Sequence, residues 1–315
     1  MTDSKSPPAA DGKPPAFIHV DCDGLWAVAA CYGEAPPTPP EGDPFWVEGI
    51  PAALDLFTPL KIPATFFVIS RDLSTPAHRD LLQRLVDADH EIANHTHTHR
   101  MDLRSCDHAA LRAEIEPACA RIEEAAGRPP LGFRAPGFSF HPNLPEILTE
   151  LGHIYDSSLL PSPWAPALRL ARRVMGGGGG QRQRPYGSFG QSFSPRGPHS
   201  VKRGRGEIVE IPVSLTPGLR LPAHASFALL RSDDAFRRTV EWHAQRRTAF
   251  VWVIHLIDLC DTLAIELPTP GWSRSLFRRA ADEKRRRIGE MLRVIAGEFE
   301  IQRTDRWVQS EVHRI

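Results

Sequence analysis

Two hydrophobic rhythms run along the chain. Short unbroken apolar runs, AFIHVD (16–21), KIPATFFVIS (61–70) and AFVWVIHL (249–256), predict buried strands, each rich in β-branched or aromatic residues. HEIANH (90–95), HIYDSS (153–158), EIVEIPVS (207–214) and EFEIQR (298–303) read as further strands. Between them, apolar positions recur at helical spacing in IPAALDLFTPL (50–60), in RDLLQRLVDAD (79–89) with Leu81, Leu82, Leu85 and Val86 on one face, and in LPEILTELG (144–152). A helix over 107–126 is expected to kink or restart at Pro117, and an Arg-rich helix spans about 275–297. Residues 33–46 read as a Pro-rich loop and residues 1–15 as a disordered tail. Strands alternating with helices predict parallel βα units, in a barrel or an open sheet, with functional residues at the strand ends.

Composition changes this picture little. The 315 residues are 41% hydrophobic and 24% charged, and Lys plus Arg equals Asp plus Glu at 38 each, so net charge selects no partner. The first residues carry no apolar leader, no run approaches the roughly 18 apolar residues of a membrane span, and the five scattered cysteines form no CxxC. The expectation is a cytoplasmic protein with reduced thiols. Local charge says more. No acidic residue lies between Asp156 and Glu207, a stretch that holds GGGGG (176–180) and many arginines. This reads as a basic insertion, flexible over about 165–206, within a single domain covering 16–310.

Four sites could carry chemistry. In HTHTH, His95 and His99 stand four apart and can turn toward one metal, for which imidazole suits zinc and similar ions; His97 between them points away. Alone, such a cluster can also be a polar loop. Asp21 and Asp23 flank Cys22 at a strand end and share a face, so one carboxylate can bind a metal while the other acts as a base. In FRAPGF (133–138), the fork of Arg134 suits two-point contact with a carboxylate, and Gly137 allows close backbone approach. His255 ends an apolar strand, where a lone histidine is more often a satisfied core residue; Asp258, Asp261 or Asp156 could orient it.

In this order, DCDG (21–24), HTHTH (95–99), RAPG (134–137) and IHLIDLCD (254–261) resemble the motifs of the NodB-homology polysaccharide deacetylases, in the subgroup that includes intracellular peptidoglycan deacetylases. IPATFFV (62–68) resembles that family's second strand. The resemblance implies an α/β fold, an irregular (β/α) barrel with fewer than eight complete units. It implies a hydrolase of carbon–nitrogen bonds that removes an N-acyl group, typically acetyl, from an amino sugar. Asp23, His95 and His99 would bind a divalent metal, zinc first, with cobalt, nickel, manganese or ferrous iron as alternatives. Asp21 would be the base, held by Arg134, His255 the general acid, and the backbone at Gly137 and Phe138 the substrate and oxyanion site. RAPG departs from the family's Arg-Pro-Pro-Tyr, and the fourth motif, an Asp near a Trp, is represented only weakly by Asp156. Rival readings are an amidohydrolase of a small cyclic amide, a deformylase of a lipid-linked sugar drawn to the membrane surface by the basic insertion, and a non-catalytic carbohydrate-binding member. A nucleic-acid partner is not expected, and the oligomeric state, a homo-oligomer included, is open.

Overall fold

The computed structural model describes residues 12–31, 42–164, 189–263 and 278–311. Its framework is one nine-stranded sheet: β1 (Pro15–Asp21), β2 (Thr65–Val68), β3 (Glu91–Asn94), β4 (Gly132–Phe133), β5 (Tyr155–Asp156), β6 (His199–Arg203), β7 (Gly206–Glu210), β8 (Phe250–His255) and β9 (Glu300–Ile301). The order is β6-β7-β5-β4-β3-β2-β1-β8, with β9 added to the start of β1. Every pairing is parallel except β6 with β7.

The sheet curls toward closure. After β7 the chain crosses to β8, where Ser214 N–H donates to the Val251 carbonyl (3.3 Å), Val251 N–H to Ser214 Oγ (2.9 Å) and Val253 N–H to the Ala223 carbonyl (3.1 Å). Alternation along β1 sorts its side chains. Ala16, Ile18 and Val20 join Phe66, Val68, Trp252 and Ile254 in the large core under the helices. Phe17 faces the interior with Phe67, Ala93, Tyr155, Val209 and Val251. His19 and Asp21 lie on this inner side of the strand and are buried.

The helices are α1 (Leu25–Cys31), α2 (Pro44–Leu60), α3 (Pro76–Asp87), α4 (His108–Ala126), α5 (Leu144–Glu150), α6 (Ala225–Leu229), α7 (Asp233–Gln245), α8 (Ala281–Glu298) and α9 (Thr304–Glu311). Helix α2 starts inside the stretch expected to be loop. Asp43 caps it by accepting from Phe45 N–H (2.9 Å), and Pro44 takes the first turn, where its missing donor costs nothing. Helix α4 runs unbroken through Pro117. Burial of Leu111, Ile115, Ala118 and Ile122 offsets the penalty of about 3 kcal/mol for an interior proline.

Within the expected basic insertion, residues 199–203 form β6, and Gly204 (φ 58°) turns the chain back into β7. Ser200 and Lys202 both engage Glu207, which is how a strand forms in a segment of unpromising composition. The GGGGG run and residues 165–188 lie outside the described residues, as do residues 1–11 of the expected tail.

Candidate metal centre and active site

Strand register gathers the candidate residues at one end of the sheet. Asp21 pairs with Phe67 on β2 and with His255 on β8; Asn94 pairs with Phe133, Phe133 with Asp156, and Asp156 with Glu210. His95 and Arg134 each follow the last residue of a strand in this row.

The turn after β1 is fixed by a residue eighteen positions on. Buried Asp43 accepts Leu25 N–H through both oxygens (3.1 and 2.9 Å). A β-carbon on Gly24 would sit 2.8 Å from Asp43 Oδ2, so only glycine allows this approach. Asp23 is thereby turned toward HTHTH. His95 Nε2 and His99 Nε2 stand 3.5 and 3.3 Å from Asp23 Oδ1. One ligand atom from each of the three lies within 4.8 Å of the others.

The two histidines do not share a helix face. They converge because Thr96 (φ 70°) and His99 (φ 56°) are left-handed, and a left-handed threonine is costly. That backbone is held by Thr96 N–H to Asn94 Oδ1 (2.8 Å), Ser70 N–H to the Thr96 carbonyl (3.0 Å) and His99 N–H to Thr96 Oγ1 (3.1 Å). His97 faces away, with Nδ1 at 2.9 Å from Ser70 Oγ.

The donor set fits a divalent metal. One carboxylate and two imidazoles suit zinc and its neighbours and leave coordination positions open. Asp23 Oδ1 is buried with no hydrogen-bond partner among the described residues, a cost that a cation would relieve. His95 Nδ1 donates to the Arg134 carbonyl at 2.8 Å, which leaves Nε2 bearing the lone pair on the Asp23 side. Burial alone would raise the Asp23 carboxyl, but the flanking histidines hold it well below the usual carboxylate range.

Asp21 lies beside this cluster and is bound differently. Arg134 Nη1 donates to Asp21 Oδ1 at 2.6 Å, and His255 Nε2 lies 3.7 Å from Asp21 Oδ2. The arginine contact is one-pointed, not the two-point fork expected from the sequence. Its other donors go to the Ser157 carbonyl (3.1 Å), Ser157 Oγ (2.9 Å) and His19 Nδ1. Fully buried, its guanidinium also stacks 4.2 Å from the Phe67 ring centre. Burial raises the Asp21 pKa, Arg134 lowers it, and the net shift is downward, so the carboxylate is ionised at neutral pH.

His255 reaches the rim, with 22% of its side chain exposed. Burial disfavours its charge, but Asp258 at 3.8 Å and the charges of Asp21 and Asp23 push its pKa up to about 9. Asp258 is itself pinned by His255 N–H (2.9 Å) and Ser226 Oγ (2.6 Å). Asp156, another expected orienter, is placed elsewhere: it is buried against Ser158 and Glu210. Phe138 N–H already donates to the Ala135 carbonyl (3.1 Å) and is not free for an oxyanion, while its ring forms an apolar wall 5.4 Å from His224. Gly137 is left-handed at φ 57°.

Three buried residues escaped the sequence reading. His19 accepts from Arg134 and contacts Thr304 Oγ1 (2.9 Å); its place two residues before Asp21, on the same strand face, was the available signal. Glu210 lies within an otherwise apolar strand end. His224, whose ring centre is 5.4 Å from that of His255, carries no sequence signal.

Residues 41–155 match the family model for polysaccharide deacetylases. A chitooligosaccharide deacetylase of Bradyrhizobium sp. (strain ANU 289) is 39% identical over 87 residues, which are 27% of this chain and 38% of that protein. A peptidoglycan deacetylase of Helicobacter pylori is 29% identical over 123 residues, 38% of this chain and 39% of that protein. The matches thus span under two fifths of these curated relatives. Among solved structures, one from Mycobacterium smegmatis assigned as a polysaccharide deacetylase aligns over 100% of this chain and 96% of its own, with TM-score 0.63 and 21% identity. PuuE allantoinase aligns over 98% and 94%, with TM-score 0.63 and 15% identity. The chain resembles the NodB-homology polysaccharide deacetylases in sequence over residues 41–155 and in its curled α/β fold over nearly its whole length.

Proposed function

We propose that the protein is a metal-dependent hydrolase that removes an N-acyl group, typically acetyl, from an amino sugar of a glycan or glycan precursor. The single observation that carries this reading is the placement of Asp21 between Arg134 and His255, beside the Asp23–His95–His99 cluster. A metal held by those three residues, zinc first among candidates, would polarise the acyl carbonyl and acidify water when bound.

The chain's own groups supply the rest. Asp21, kept ionised by Arg134, takes a proton from the water whose oxygen attacks the acyl carbon. His255, protonated at neutral pH, gives its proton to the nitrogen as the carbon–nitrogen bond breaks. Asp258 holds His255 in place. Backbone donation at Gly137 would stabilise the oxyanion. A free amine and a carboxylic acid leave, and the Asp21 and His255 protonation states are restored by one proton passing between them.

The partial coverage of the curated relatives leaves the sugar to experiment. The test is amine release by zinc- or cobalt-loaded protein from N-acetylglucosamine oligomers, from formylated and lipid-linked amino sugars, and from a cyclic amide. Release from the sugars supports the reading. Turnover of the cyclic amide alone would move the substrate class, and no turnover of any, with metal bound, would count against hydrolysis. No helix among the described residues is long and apolar enough to cross a membrane. Recruitment to anionic lipid by the basic stretch remains a proposal, tested by salt-sensitive liposome binding.

A further inference from the structure

Behind the RAPG turn two carboxyl side chains face each other in the interior. Asp156 on β5 and Glu210 on β7 are register partners, and both are fully buried. One oxygen of each is satisfied: Asp156 Oδ1 by the Ser158 hydroxyl, and Glu210 Oε1 by Leu159 N–H at 2.9 Å. The remaining oxygens, Asp156 Oδ2 and Glu210 Oε2, are buried and have no donor among the described residues. Two neighbouring buried carboxylates do not both stay ionised without a cation between them. Among the described residues, the charged or titratable groups that face the pair are Arg134, at the end of β4, and His199, across from Glu210 on β6. Arg134 is committed to Asp21, His19 and Ser157, and His199 turns Nδ1 to the Gly197 carbonyl.

The pair is connected to the candidate metal centre by one chain of hydrogen bonds. Ser158 donates its hydroxyl proton to Asp156 and accepts Ala135 N–H at 2.8 Å. The carbonyl of the same Arg134–Ala135 peptide group accepts from His95 Nδ1 at 2.8 Å. Hydrogen bonds in series through a peptide group polarise one another.

We propose that Asp156 and Glu210 share a single proton and that, through Ser158 and the Arg134–Ala135 peptide, they position His95. This rests on His95 being a metal ligand, as read above. Burial pushes Asp156 up to about 7 and Glu210 well above the carboxylate range, in keeping with a retained proton. Asp156 and Glu210 are positioning residues; neither touches the reacting atoms. Ser157, which lies between Asp156 and Ser158 in the chain, gives the Arg134 guanidinium two acceptors, its carbonyl and its hydroxyl.

Cobalt(II) titration of the full chain, read by its visible absorption and by competition with a chelator, tests the relay. Ser158→Ala and Asp156→Ala are expected to weaken cobalt binding by roughly ten- to a hundredfold, the usual effect of losing an outer partner of a metal ligand. Asp156→Asn and Glu210→Gln, which replace the shared proton with an amide hydrogen, are expected to bind near wild type. Cobalt binding by Ser158→Ala as tight as wild type would overturn the relay.

The shared proton has a substrate-free and metal-free readout. The folded pair keeps a proton that the unfolded carboxyls release, so its contribution makes stability fall as pH rises above about 4, the unfolded carboxylate value. In Asp156→Asn that fall is expected to be shallower, and a slope equal to wild type would overturn proton sharing. A wild-type protein that binds no cobalt would instead defeat the metal reading, and the pH arm still decides the shared proton.

Discussion

Asp21 and His255 are register partners on adjacent parallel strands, and their side chains face each other across 3.7 Å at the strand ends. Parallel pairing thus places the proposed base and the proposed acid, far apart in the sequence, over one point. Replacing Asp21 by Asn keeps the shape and the Arg134 contact but removes the proton acceptor. Turnover is expected to fall at least about a hundredfold, with metal content unchanged. Full activity with normal metal content would contradict the base assignment.

His255 is expected to set the alkaline limb of the pH profile. Its pKa is raised to about 9, so it is charged through neutral pH and loses its proton above that value. As a general acid it acts only while protonated, so kcat is expected to decline as pH rises through about 9. His255→Gln should lower kcat and abolish that limb. The same raised pKa contributes stability that is fully present below the unfolded histidine value and is lost as pH rises through about 9, which pH-dependent thermal melts of wild type and His255→Gln can resolve.

Much of this site was legible in the sequence for a physical reason: parallel α/β sheets gather strand ends, and Asp21, His95, Arg134 and His255 each close or follow an apolar run. What the sequence hid were pairings across the chain. Nothing near Asp156 signals Glu210, because their meeting depends on β5 and β7 being neighbours. The single-point contact of Arg134 was hidden for the same reason, since its other partners come from β1 and from the turn after β5. Helix α2 began earlier than its apolar pattern because the cap, Asp43, lies before the periodicity starts. Strand β6 was masked by arginine and glycine, residues that do not announce a strand whose stability comes from its hairpin partner.

Asp43 ties two elements to the turn that carries Asp23, accepting N–H groups from both Leu25 and Phe45. Asp43→Ala is expected to cost about 1–2 kcal/mol from lost capping, read by denaturant unfolding. Gly24→Ala is expected to destabilise by about 1–3 kcal/mol through overpacking against Asp43. It should also weaken metal binding by displacing Asp23. Unchanged stability in both variants would contradict this role.

Arg134→Lys preserves charge but offers one ammonium where a planar fork serves Asp21, His19 and Ser157. Leaving even one of these buried acceptors unpaired is expected to cost about 1–3 kcal/mol of stability. Activity should fall as well, since Asp21 loses its fixed orientation. Wild-type stability and turnover in this variant would show that charge alone suffices.

The central claim is that Asp23, His95 and His99 form a single metal centre. Its most direct test is metal content by atomic emission in protein loaded with zinc and then desalted, for wild type, Asp23→Asn and His99→Ala. The expected result is one zinc per wild-type chain and almost none in either variant, with all three folded by circular dichroism. Equal zinc in the variants and the wild type, or none in any of them, would contradict it.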